Sequence, residues 1–99
     1  MRLLTNTLLK RFAKVGEQDI PNPIIVAKFF NPCGRGTWYA TCYIPEERIF
    51  FGWAEIVPGC GEWGYFSLDE LQAYKGPLGI GIERDLYWRE KHADEVIPK

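Results

Sequence analysis

Ninety-nine residues make one domain, of a size that buries about two thirds of its unfolded surface. With 46% hydrophobic and 25% charged residues the chain lies in the globular range, which excludes wholesale disorder. A formal charge of −1 argues against a protein built mainly to grip nucleic acid, and no apolar run approaches the roughly 18 residues of a membrane span. Met1-Arg2-Leu3-Leu4 leads into Thr and Asn rather than a signal core, so a cytoplasmic protein is expected. The charge is uneven. Arg2, Lys10, Arg11 and Lys14 make the opening purely cationic, while Glu46, Glu47, Glu55 and Glu62 collect in the middle.

Thr5 is a good N-cap, with Leu4 and Leu9 placed as a hydrophobic staple, and Gly16 closes the helix they predict. Leu8, Leu9, Phe12 and Ala13 form its apolar stripe. Lys10, Arg11 and Lys14 read as a solvated face near the C-terminal end, where cations suit the helix dipole. Residues 17–23 (EQDIPNP) are a loop. Residues 24–30 form a β-branched and aromatic run of strand length, and residues 31–36 (NPCGRG) are turn chemistry. Strands over 37–44 and 48–57 follow, separated by Pro45-Glu46-Glu47, and a short fourth strand spans 62–66.

The stretch from Trp63 to Trp88 organises the rest. Ser67-Leu68-Asp69-Glu70 is a capping-box sequence, and Phe66 and Leu71 occupy staple positions. Gly76 is expected as the left-handed residue past the helix end, and Pro77 forbids continuation, giving a helix over 68–75. Two turns are marginal alone, because isolated helices shorter than about 12 residues do not persist in water. This helix must therefore lie on the strands. Residues 78–88 are extended or turn-like with room for one more short strand; Arg84 is expected to pair with Asp69 or Glu70. The sum is an α+β domain over 1–88: an antiparallel sheet of about four strands, an N-terminal helix and the short capped helix. Residues 89–99 (REKHADEVIPK) read as a charged C-terminal tail with little to bury.

Alternation sorts the sheet faces. In the third strand Phe50, Gly52, Ala54 and Ile56 point one way, the small residues admitting a helix; Ile49, Phe51, Trp53 and Glu55 point the other. The second strand sets Trp38, Ala40, Cys42 and Ile44 against Tyr39, Thr41 and Tyr43, and the first strand's wetter row is Ile24, Val26, Lys28 and Phe30. Aligning the charged and hydroxylated rows gives a candidate partner-binding face of Lys28, Tyr39, Tyr43, Phe51, Trp53 and Glu55. Tyr and Trp are enriched where proteins bind. The competing expectation is that Leu86 and Trp88 carry the C-terminal segment across this face.

Several runs resemble a known family: Leu3-Leu4-Thr5 with Leu8-Leu9-Lys10, Lys28-Phe29-Phe30, Thr37-Trp38-Tyr39, Phe50-Phe51-Gly52, the run from Gly64 to Leu71, Gly76-Pro77-Leu78-Gly79, and Ile82-Glu83-Arg84-Asp85-Leu86. Together they look like domain of unknown function 2958, a family of short bacterial, plasmid and phage proteins. The resemblance covers nearly the whole chain. The family has no established activity, so no catalytic residues carry over from it; what the resemblance implies is a setting in mobile elements, sometimes beside antirestriction genes. Gly81 stands where the family pattern has proline, and the 89–99 tail has no counterpart in it.

Candidate chemistries are weak. The lone histidine, His92, lies in the tail, remote in sequence from Cys33, Cys42 and Cys60. Three cysteines without C-x-x-C spacing do not suit a disulfide framework. Cys33 and Cys60 fall in turns at the same end of the sheet, yet a structural zinc wants two further ligands. Glu55, Glu62, Glu83 and Asp85 are not spaced to converge on a cleft, and Gly79-x-Gly81 follows a helix rather than a strand. The expectation is a binding protein without enzymatic activity, metal or cofactor, occluding a host or element-encoded protein. Counter-defence against a restriction or CRISPR nuclease is its most specific form. A nucleic-acid binder using the basic helix and stacking aromatics is the second expectation, and a small carboxylate enzyme the third.

Overall fold

The computed structural model describes residues 2–18 and 22–97. The middle of the expected 17–23 loop and the last two tail residues lie outside these. The expected caps start both helices. Thr5 Oγ1 accepts from the Leu8 amide at 3.2 Å and opens α1 (Asn6–Val15); Gly16, at φ 61°, closes it by donating to the Phe12 carbonyl. Ser67 Oγ accepts from the Glu70 amide at 3.1 Å and opens α2 (Leu68–Ala73) directly off a strand.

Between and after the helices run β1 (Ile24–Ile25), β2 (Ala27–Phe30), β3 (Thr37–Ile44), β4 (Ile49–Glu55), β5 (Glu62–Ser67), β6 (Glu83–Arg84) and β7 (Lys91–His92). The class is α+β. The main sheet is antiparallel in the order β5-β4-β3-β2-β6, five strands where about four were expected; β1 and β7 form a separate two-stranded ladder. No helix among the described residues is long and apolar enough to cross a membrane.

One face of the sheet carries the core. Ala27, Phe29, Ala40 and Phe50 pack there against Leu3, Leu4, Phe12, Leu68, Leu71 and Ile82. Phe50 is the hub: its ring lies 5.2 Å from Phe29, 5.5 Å from Phe66 and 5.7 Å from Phe12. Burying each such ring stabilises the fold by about 1.5–3 kcal/mol.

The main departure from strict alternation is a bulge at Thr41. Ala40 pairs with Gly52 but Cys42 pairs with Phe51, so the register slips by one residue. Past the slip the rows exchange faces, and Tyr43 lies in the core, 5.0 Å from Phe50 and 6.2 Å from Phe12. Tyr43 therefore leaves the expected partner-binding row. Gly52 is also explained by this pairing rather than by a helix above it, because a Cβ there would overlap the Tyr39 backbone carbonyl.

The first strand is interrupted as well. Val26, expected on the wetter row, is buried in the core, and its amide donates to the Ala40 carbonyl at 2.9 Å. β1 turns aside to pair with β7. The gap beside it is filled by Gln18, whose side-chain amide donates to the Ile24 carbonyl at 2.9 Å and the Thr41 carbonyl at 2.8 Å, and accepts from the Ile24 amide at 2.8 Å. One side chain thus satisfies three backbone groups that the bulge and the kink release.

Two C-terminal expectations need correcting. Tyr74 is already extended, so α2 ends at Ala73; Gly76 has φ −89°, and the left-handed residues are Leu78 and Gly79 in a 3-10 turn. Beside α2, Asp69 receives Arg48: the guanidinium forks onto the carboxylate at 2.8–3.1 Å and holds its pKa below the ordinary value, while the Arg48 carbonyl accepts from Leu68. The segment read as a tail is packed. Glu90 receives a bidentate contact from Arg11 at 2.7–3.1 Å, Lys91 and His92 pair with β1, and Ala93 is buried with its amide on the Pro23 carbonyl. Glu95 in turn accepts from the His92 amide at 2.8 Å.

Ser67→Ala is expected to lower stability by about 1 kcal/mol in denaturant melts, the usual loss of an N-cap. Gln18→Ala, which strands buried carbonyls at the bulge, is expected to cost about 1–3 kcal/mol. A Gln18→Ala chain as stable as the parent would show that the bulge does not depend on this side chain.

Candidate functional site

The face opposite the core is built by cross-strand register. Lys28, Tyr39, Trp53 and Trp63 stand in one row across β2, β3, β4 and β5. Beside it Phe51 pairs with Tyr65, and on the other side Phe30 and Glu55 flank Thr37. Of the expected site residues, Lys28, Tyr39, Phe51, Trp53 and Glu55 share this face. All five are half-buried.

The face divides into a covered and an open half. Over β2 and β3 lies Trp88, its indole N–H donating to the Ile25 carbonyl at 3.0 Å and its ring 5.9 Å from Tyr39. Lys91 Nζ sits 4.9 Å above the Trp88 ring, and Lys28 lies 3.9 Å from Asp85 and 5.9 Å from the Tyr39 ring. Burial pushes the Tyr39 hydroxyl pKa up, and the charge of Glu55 adds to the shift, so Tyr39 stays neutral. The C-terminal segment thus does cross the face through Trp88. Leu86 takes no such part; it is exposed.

Over β4 and β5 four rings interlock without a cover. Phe51 stacks parallel on Trp63 at 6.0 Å and meets Tyr65 edge-on at 5.0 Å; Trp53 meets Trp63 edge-on at 5.5 Å. Such pairs hold one another in fixed orientations and add about 0.5–1.5 kcal/mol each beyond area burial. Trp53 is braced by the turn before β5, where a Cβ on Gly61 would collide with the indole. Tyr65, at 66% relative exposure, is the most open ring of the cluster.

Other chemistry is thin. Among the described residues no group of three or more His, Cys, Asp or Glu side chains is placed to hold a metal ion. Cys33 and Cys60 are exposed free thiols, while burial, with Glu17 nearby, raises the pKa of Cys42 and keeps it protonated. A cleft of about 400 Å³ lies on the core side between α2 and the β2–β3 turn, floored by Trp38, Phe66, Leu71 and Ile82 and rimmed by Arg35 and Glu70.

Trp63 and Tyr65 are the face residues that sequence reasoning missed, whereas Trp88 was expected there in the competing reading. The signal for the first two was present: a short turn fixes β5 opposite β4, so the alternation of Phe51 and Trp53 carries directly onto Tyr65 and Trp63. Gly61→Ala is expected to displace the Trp53 ring, read as a shift of the tryptophan emission with the melting transition retained. An unchanged spectrum would show that the ring is not seated against this turn.

No curated protein and no solved structure matches the chain. A family model does, over residues 2–94, and so extends into the segment first read as a tail. The chain therefore belongs to the family described as protein of unknown function DUF2958.

Proposed function

We propose that this chain is a binding protein without catalytic activity, which engages a protein partner through the open half of its aromatic sheet face. The observation that supports it is the cluster of Phe51, Trp53, Trp63 and Tyr65, four mutually braced rings that no helix covers, with Tyr65 two-thirds open. Rings already locked by neighbours lose little entropy on binding and offer large apolar area with polar handles, the profile of an interface anchor. Glu55 and the Lys28–Asp85 pair supply a charged rim beside the rings. The more specific form is counter-defence: occlusion of a host restriction or CRISPR nuclease by a mobile-element protein. Its support is the setting that the family implies. A nucleic-acid reading has less to draw on, because Arg11 is occupied by Glu90 and Lys28 faces Asp85.

Partner capture from host lysate, followed by titration of the captured protein, tests the reading. Trp63→Ala and Trp53→Ala are each expected to weaken binding by more than about 1 kcal/mol, as central aromatic anchors do. Undiminished affinity in both folded variants excludes this face. Affinity for labelled DNA or RNA that falls steeply with salt would instead support phosphate contacts.

A further inference from the structure

An edge strand presents unpaired backbone N–H and C=O groups, and natural sheets blunt such edges with proline, lysine, a bulge or a cover. β5 carries none of these devices. Its sequence, EWGYFS, has no proline and no cation; its ladder with β4 runs without a register shift; among the described residues no strand pairs on its outer side. The opposite edge, β6, is only two residues long.

The direction of each backbone group on β5 follows from one bond. The Leu68 amide donates to the Arg48 carbonyl at 3.0 Å, so position 68 faces β4. Inward positions alternate along an antiparallel ladder. Counting back by twos, Phe66, Gly64 and Glu62 address Phe50, Gly52 and Ala54, whereas Trp63 and Tyr65 direct their N–H and C=O groups away from the sheet. The Thr41 hydroxyl, donating to the Phe51 carbonyl on the far side of β4, agrees with this phase. Free donors and acceptors and the most exposed ring of the face are thus displayed together.

We propose that the β5 edge is a self-association surface, where a second copy of this chain adds its own β5 antiparallel about a two-fold axis at Gly64. In that register Trp63 faces the partner's Tyr65, Gly64 faces the partner's Gly64, and Glu62 faces the partner's Phe66. The bonded positions are the two that point outward, no like charges meet, and Trp–Tyr is a favourable cross-strand pair. A net charge of −1 per chain opposes association little. A one-residue slip would bring inward-facing amides to the seam and set aromatic-face positions against core-face positions. Centring on Tyr65 instead would draw Ser67 and the start of α2 into the seam. A second copy suits the edge because an isologous contact closes: each unpaired edge satisfies the other and none is left over. The pairing consumes the backbone edge and shares the Trp63 and Tyr65 rings with the partner-binding reading, while Phe51 and Trp53 stay on the face; the oligomeric state of the chain alone tests it without reference to any foreign partner.

Sedimentation equilibrium of the full chain across a concentration series tests it. The expected limit at high concentration is twice the chain mass of 11.5 kDa, with the Trp63 and Tyr65 amides exchanging more slowly as concentration rises. Gly64→Lys is the informative variant, since nothing lies within 4 Å of a Cβ at Gly64 and the substitution opposes two cations on the axis. It is expected to weaken dimerisation by about tenfold or more, partly restored by salt. Tyr65→Pro, which removes an outward donor without touching the β4 ladder, is expected to do the same without salt rescue. A chain of monomer mass at every concentration overturns the proposal, as does a dimer that survives in folded Gly64→Lys. A monomer whose β5 amides become protected only on adding a different protein also overturns it, and assigns the edge to a foreign strand.

Discussion

The bulge at Thr41 is the constraint on which the rest of the structure depends. A single extra residue in β3 exchanges the faces beyond it, and this is what brings Tyr43 over the core to meet Phe12 and Phe50. It also leaves a carbonyl unpaired in the interior, which Gln18 reaches from the loop after α1. The same glutamine holds the Ile24 backbone and so frees β1 from the main sheet. With β1 turned aside, its edge is available to the C-terminal segment, and β7 pairs there. Gln18 thus couples the bulge, the strand kink and the docking of the chain's last described residues.

That docking decides how the second face is finished. Trp88 reaches the face only because β1 places the Ile25 carbonyl where the indole N–H can bond to it. The bidentate Arg11–Glu90 contact ties the same segment to α1 on the other side. Isolated exposed ion pairs contribute little. Here the ladder, the buried Ala93 and the indole bond act together, and the ion pair sets direction more than it adds stability.

Much of the fold was legible because local signals agreed with global ones. The caps at Thr5 and Ser67, the turns at 31–36 and 45–47 and the alternation of β4 each follow from residue type alone. Tyr43 was misplaced because a bulge carries no composition signature when it falls at a threonine, a residue equally at home in a regular strand. Gly76 was misread because its need is for close approach, not a left-handed backbone: a Cβ there would crowd the Ile80 carbonyl and the Tyr74 ring. The packed tail was invisible for a different reason. Charged segments read as solvated unless their partners are known, and Glu90's partner lies seventy-nine positions away.

A domain this small has two short helices and cannot spend both on covering two sheet faces. It places them over Phe29 and Phe50, where fully buried rings return the most. The other face is finished with side chains instead: Trp88 over Tyr39 at one end, and four rings leaning on one another at the other. Mutual packing shields part of each ring, which is why Phe51, Trp53 and Trp63 remain half-buried without any covering element. It cannot shield the outermost one, because Tyr65 has a neighbour on one side only. The most exposed ring therefore falls on the strand whose outer backbone is unpaired, and the feature left unfinished by the fold is a property of the edge as much as of the face.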